Sequence, residues 1–247
     1  MGGILQLKRT TLATFLEVDV FSLDDVVPWG RSFDEYRLMF ALSDAELETR
    51  ILGCSDGPAS FNAEATRRGA SVVSCDPLYA HGVGGVRRRI DETYDTIMAQ
   101  TRENLGEFVW TTFRSVDELG AVRMRAMGEF LDDFELGRSQ GRYVEAHLPA
   151  LPFADRSFDL ALCSHFLFLY SEQLGESFHF ESIRELCRVA SEVRVFPLLA
   201  LGAVESPHLE PVSRLLKDCG FAVSIEAVPY EFQRGGNRMM RVSAASP

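Results

Sequence analysis

Arg50-Ile-Leu-Gly-Cys-Ser-Asp-Gly-Pro-Ala-Ser-Phe61 is the stretch around which the chain is organised. Ile51, Leu52 and Cys54 form a short apolar run of the kind that makes a buried strand. Ser55-Asp56-Gly57 turns the chain, and Pro58 stands where a first helical residue is favoured, since its fixed φ suits that place. The spacing of Asn62, Glu64 and Arg67 continues as a helix, which Gly69 stops. Strand, small-residue turn and helix make the first βα unit of a nucleotide-binding sheet. The turn needs small residues so that backbone can approach a ligand, and the helix N-terminus offers unpaired N–H groups.

Ser71-Val-Val-Ser-Cys-Asp76 reads as a second apolar strand ending in an acid. It lies about 20 residues past the turn, where ribose hydroxyls are held in such sheets. Leu151-Pro-Phe-Ala-Asp-Arg-Ser-Phe-Asp159 then leads into the apolar strand Leu160-Ala-Leu-Cys163, followed by Ser164-His165. Together these three stretches resemble the class I S-adenosylmethionine-dependent methyltransferases, above all the small-molecule branch that includes the quinone-biosynthesis C-methyltransferases. In that family the first turn reads Asp-x-Gly-x-Gly-x-Gly, and a Leu-Pro-Phe-x-Asp-x-Ser-Phe-Asp phrase introduces the fourth strand. The likeness covers residues 48–79 and 142–242.

The resemblance implies an α/β, Rossmann-like class I methyltransferase fold. Its seven-stranded, mostly parallel sheet has the order 3-2-1-4-5-7-6, the last strand antiparallel, with helices on both faces. The implied cofactor is S-adenosyl-L-methionine. Gly53, Cys54, Ser55, Asp56, Gly57 and Ala59 would hold it at the first turn, and Asp76 and Pro77 after the second strand. His147 and Leu148 would meet it after the third strand, Ser164 and His165 after the fourth. The first turn departs from the family: Gly53 stands where the acid is usual, Ser55 at the first glycine and Ala59 at the last. The lost acid removes a partner of the cofactor's amino group, and a serine adds a Cβ where backbone should come close. Asp56 is the neighbouring carboxylate available to replace it. At His147 the family has an acid that holds the adenine amino group. Neutral imidazole accepts the same hydrogen bond; a solvent-facing loop histidine is the other reading.

The 247 residues, 46% hydrophobic and 25% charged, suit one globular domain spanning 1–247. A net charge of −11 disfavours a broad nucleic-acid footprint. Five cysteines without Cys-x-x-Cys spacing read as reduced core residues. The longest apolar run, Phe158–Tyr170, contains Asp159 and His165 and is too short for a membrane span. Glu17 and Asp19 interrupt any signal-peptide core after Lys8 and Arg9. The expectation is a cytoplasmic monomer or homodimer without nucleic-acid or membrane partners.

Residues 1–47 form an N-terminal cap segment, with a short helix at Thr10–Val18, a strand or loop at Phe21–Val27 and a turn at Pro28-Trp29-Gly30. Ser32 and Glu35 make a capping box for a helix with Phe33, Tyr36, Leu38, Met39 and Phe40 on its apolar face. In the resembled family a helix here covers the cofactor, so Tyr36 and Trp29 either close the pocket or pack the core. Residues 80–141 read as a helical insertion between strands 2 and 3, a lid or substrate platform. One amphipathic helix carries Ile90, Tyr94, Ile97, Met98 and Leu105, and a second runs from Val116 to Leu136. Arg87, Arg88, Arg89, Arg114, Arg123 and Arg125 gather positive charge there, either for an acidic substrate or partner or as a solvated helical face. A helix over Gly175–Ala190, a fifth strand at Val193–Phe196, a helix between Ser206-Pro207 and Gly220, and a hairpin of Phe221–Ala227 with Arg238–Val242 complete the chain.

A sulfonium methyl is intrinsically electrophilic, so a base is needed only where the acceptor must lose a proton. His165 is placed for that task and Tyr170 is the second choice; ligand contact and core packing are the other readings of His165. No Asn-Pro-Pro-Tyr-like phrase follows strand 4, which argues against nucleic-acid and protein amide N-methylation. No His, Cys, Asp and Glu cluster has metal spacing, and no Gly-x-Ser-x-Gly elbow or Walker loop is present. The sequence points to methyl transfer to an unidentified small molecule. The rivals are a protein that kept the fold and lost catalysis, and a nucleotide-binding oxidoreductase.

Overall fold

The computed structural model describes residues 27–244. The readings for Thr10–Val18 and for Phe21 up to residue 26 lie outside the described residues. Five parallel strands follow in chain order: β1 (Arg50–Cys54), β2 (Ser71–Cys75), β3 (Tyr143–Val144), β4 (Phe158–Ser164) and β5 (Ala190–Phe196). A closing hairpin of β6 (Phe221–Ala227) and β7 (Arg238–Ala244) inserts β7 antiparallel beside β5. The sheet order is therefore 3-2-1-4-5-7-6, the order the resemblance implied. A two-stranded ribbon, Leu199–Ala200 with Val204–Glu205, stands apart and left no sequence signal.

Both faces of the sheet are covered, which is why Ile51–Cys54 of β1 and Leu160–Cys163 of β4 are continuous runs without polar alternation. In register Ile51 pairs with Leu160, and Cys54 with Cys163. Leu52, Cys54, Ala161 and Cys163 point to a cluster with Ile183 and Leu186 of α6 (Glu176–Val189) and Val212 and Leu216 of α7 (Leu209–Asp218). Ile51, Leu160 and Leu162 point the other way, to Phe33 and Tyr36 of α1 (Phe33–Met39) and Phe61 of α3 (Phe61–Arg67). Between these two helices lies α2 (Asp44–Leu47), capped by Ser43. Cys54, Cys75 and Cys163 are buried free thiols.

The Leu-Pro-Phe-x-Asp phrase has a mechanical role. Arg188 of α6 donates to the carbonyls of Phe153 (2.8 Å) and Leu151 (3.2 Å) and pairs with Asp155, while the Leu151 amide donates to Glu185. Asp159 then clamps the start of β4 to β1, accepting from the Arg50 amide and both arms of its guanidinium. The phrase thus fixes where the central strand begins.

One expectation needs correction. Pro58 is not the first helical residue; the turn runs on to Ser60, and α3 starts at Phe61. Residues 80–141 hold two long helices, α4 (Gly82–Glu103) and α5 (Val116–Ser139). The two pack on each other, and α5 also packs against α3 and β3.

Arg123 of α5 is not solvated but 1% exposed. Its Nη1 donates to Glu35 at 2.5 Å, and the Tyr230 hydroxyl donates to the other oxygen of Glu35 at 2.8 Å. The same carboxylate completes the predicted capping box by accepting from the Ser32 amide. Burial alone would raise the Glu35 carboxyl, but Arg123 outweighs it and holds the group down to about 2. Since breaking one half of a buried pair strands the other charge, Arg123→Ala is expected to cost about 3–5 kcal/mol of stability in chemical denaturation. The pair contributes above the ordinary Glu value and is lost as pH falls from 4.5 towards 2. Denaturation midpoints across that range should drop in the native chain and stay flatter in Arg123→Ala.

Candidate functional site

The carboxyl ends of β1, β2 and β4 open on one cleft, where ligands of open α/β sheets bind. At the first turn, Ser55 adopts a left-handed φ of 53° at the place of the family's first glycine. Its amide donates to the Cys75 carbonyl at 2.9 Å, so the strained residue is held by β2. The next residue explains the missing acid. A Cβ built on Gly53 would lie 2.3 Å from Oδ2 of Asp56, so the Asp56 carboxylate occupies the space over Gly53 that a side chain there would need. Asp56 is buried, and its oxygens accept from the Tyr36 hydroxyl at 2.5 Å and from Ser74 at 2.6 Å. Burial raises its pKa, and these two hydrogen bonds oppose that.

Asp76 ends β2 with both oxygens engaged by backbone. Oδ2 accepts from the Gly57 amide at 2.9 Å and Oδ1 from the Leu78 amide at 2.8 Å. Burial nevertheless pushes its pKa up to about 6, with the Asp56 charge adding to the rise. The Tyr79 hydroxyl donates to the Gly57 carbonyl, completing the frame of the turn. On the far side, the segment before α1 presses on the turn. Gly30 must lack a side chain there, because a Cβ would meet the Pro58 carbonyl at 2.0 Å.

At the end of β4, His165 takes a φ of 50° and its amide donates to the Phe196 carbonyl. Its Nδ1 lies 2.8 Å from the Ser164 hydroxyl. Burial, with the positive charges of Arg31 and Arg123, drives the imidazole pKa well below its usual value, leaving it neutral at pH 7. His147 is exposed, with Nδ1 3.2 Å from the Leu148 carbonyl.

Of the residues expected at the cofactor, Ser55, Asp56, Gly57 and Ala59 of the turn line this cleft, as do Asp76 and Pro77. His147, Leu148, Ser164 and His165 close the opposite wall, and Trp29 and Tyr36 also reach it. Gly53 and Cys54 do not; they lie within β1, Gly53 beneath Asp56 and Cys54 in the core. Tyr170 is not on the cleft. It lines an adjoining smaller cavity that shares Val27, Trp29, Arg31 and His165 with the first. Its hydroxyl accepts from the Val27 amide at 3.2 Å, and burial raises its pKa.

Sequence reasoning missed Arg31, Ser74 and the Phe232-Gln233 end of the hairpin. Ser74 was detectable as a polar residue on an apolar strand; Arg31 carried no signal. Of the six arginines grouped from the sequence, Arg89 reaches the cleft and Arg123 is buried against Glu35. Among the described residues no group of acidic, His or Cys side chains has metal-binding geometry, and no helix is long and apolar enough to cross a membrane.

Sheet order, closing hairpin and cleft define a class I S-adenosylmethionine-dependent methyltransferase fold. The chain belongs to one family with the uncharacterized protein MJ0045 of Methanocaldococcus jannaschii, to which it is 34% identical over 220 residues, 89% of this chain and 96% of that protein. No protein-family model matches the sequence. The chain is also similar to solved structures, among them magnesium protoporphyrin IX methyltransferase (ChlM) from Synechocystis PCC 6803 with bound SAM. That likeness has 13% identity, 86% coverage of this chain, 78% of the other and a TM-score of 0.45. Another is a SAM dependent methyltransferase from Aquifex aeolicus, with 14% identity, 85% and 88% coverage and a TM-score of 0.42.

Because Asp56 fills the space over Gly53, Gly53→Ala is expected to cost about 1–3 kcal/mol, as overpacking does. Asp56→Ala strands Tyr36 and Ser74 and is destabilising by itself, yet in that background Gly53→Ala should cost almost nothing. A double-mutant cycle by chemical denaturation measures the coupling, and additive values would refute the packing argument.

Proposed function

We propose that this chain binds S-adenosylmethionine in the cleft and transfers its methyl group to a small molecule in the adjoining cavity. The observation that carries the reading is the shared wall: His165 and Arg31 face both spaces, so a donor over Asp76 meets an acceptor across His165. The cofactor, when bound, supplies an electrophilic methyl group on a sulfonium. The protein's own task is then to orient the two partners and keep water out.

In this reading Asp76 takes the ribose hydroxyls. Each of its oxygens already accepts one backbone amide and keeps a further lone pair. His147 and Leu148 border the adenine end, and Asp56 supplies the negative charge near the amino group that Gly53 lacks. His165 is neutral, and with Nδ1 engaged by Ser164, Nε2 is the nitrogen left to take a proton from an acceptor that has one to lose. Tyr170, with its raised pKa, is a hydrogen-bond donor to the acceptor rather than a base. Helix α4 serves as the platform that walls the acceptor space, through Ile97 and Thr101. The antiparallel β7 argues against the oxidoreductase rival, since dinucleotide dehydrogenases end in a parallel sixth strand.

Calorimetric titration with S-adenosylmethionine, S-adenosylhomocysteine and NADH tests the reading. Micromolar binding of the first two without NADH is expected; NADH binding alone would favour the oxidoreductase, and no binding would leave a scaffold without its ligand. Asp76→Ala should weaken cofactor binding by about 1–3 kcal/mol, the cost of stranding hydrogen-bonded hydroxyls. Because only the ionised carboxylate accepts from both hydroxyls, affinity should fall as pH drops through about 6. Asp76→Ala should lack that inflection.

A further inference from the structure

The smaller cavity, about 80 Å³ against about 320 Å³ for the cleft, has a wall of unusual composition. Trp29, Ile97, Phe108, Leu119 and Phe232 make it apolar and largely aromatic, and among the described residues Arg31 is the one charged side chain on it. Phe108 and Phe232 stack at 4.8 Å, and Trp110 and Phe113 meet Phe232 edge-on, so the aromatic wall is braced from behind. Arg31 donates from Nη1 to the Trp29 carbonyl at 2.8 Å, while its Nε is buried without a hydrogen-bond partner. The nearby carboxylate of Glu35 is already committed to Arg123 and Tyr230. Burial, and repulsion from Arg123, lower the guanidinium pKa to about 10. A half-buried guanidinium whose Nε is buried and unpartnered, and whose neighbouring carboxylate is already engaged, favours a ligand that brings a negative charge.

We propose that the methyl acceptor is a small aromatic carboxylic acid, its carboxylate paired with Arg31 and its ring held by Trp29, Phe108 and Phe232. This inference rests on the methyltransferase reading for the role of the ligand, though not for its binding. Arg31 also borders the cleft, so the cofactor's own carboxylate is the competing source of the anion.

The test is calorimetric titration of the protein, saturated with S-adenosylhomocysteine, with benzoate and salicylate and with the uncharged benzamide and benzyl alcohol. The acids should bind about tenfold or more tighter than their uncharged partners, as a charge-assisted pair requires. Arg31→Gln should abolish that preference. Equal binding of acid and amide, or binding of neither, would overturn the proposal. So would a loss in Arg31→Gln of S-adenosylhomocysteine affinity but not of affinity for 5′-methylthioadenosine, which lacks the carboxylate, with the acid preference intact. If S-adenosylhomocysteine does not bind the native chain, the methyltransferase reading fails alone, and the same acid–amide comparison on the unliganded protein still judges the cavity. If Arg31→Gln does not fold, the comparison in the native chain decides.

Discussion

The turn after β1 depends on one carboxylate lying over a bare Cα. Asp56 fills the space above Gly53 and ties together three parts of the molecule: the turn that carries it, β2 through Ser74 and α1 through Tyr36. That link adds a polar tie to the apolar packing of α1 on the sheet. The arrangement also makes sense of a sequence that looks degenerate. A glycine at 53 and an acid at 56 belong together, because a side chain on residue 53 would collide with the Asp56 carboxylate.

Most of the fold was legible because its signals are local and redundant. The apolar runs of β1, β2 and β4, the Ser32–Glu35 capping box, the stops at Gly69 and Gly220 and the closing hairpin each follow from chemistry within a few residues. Errors arose where a local preference met a tertiary one. Pro58 fits the first turn of a helix, yet the chain stays in a loop until Phe61 because residues 30 and 31 pack on it, Arg31 accepting from the Ser60 amide. Helices α4 and α5 read alike because nothing local says which neighbours a helix will find; the contacts of α5 with α3 and β3 are tertiary.

The candidate site was legible to the extent that it sits on strand ends. Residues just past β1, β2 and β4 are carried into the cleft by the geometry of any open sheet, so position alone located them. The second cavity was legible only at His165 and Tyr170, since its other walls come from residues 27–31, α4, the loop around Phe108, α5, Leu201 and the Phe232 turn. Arg31 illustrates the difference. As a residue before a helix cap it is unremarkable; its meaning lies in a buried, unpartnered Nε and in which carboxylates are already engaged. Arg123 is the converse, a member of an apparently basic helix face that proves to be an internal partner of Glu35.

The union of Glu35, Arg123 and Tyr230 has a temporal side. Glu35 lies near the start of the described chain and Tyr230 near its end, and α5 supplies the cation between them. On a ribosome, α1 is made early but finds its full set of partners only when the closing hairpin emerges. Until then a carboxylate destined for the interior stays hydrated, and the roof over the ligand spaces stays unlatched. The cover over the cleft is therefore fastened only once the hairpin is in place, and a chain without the hairpin would carry the strands of the cleft without that fastening.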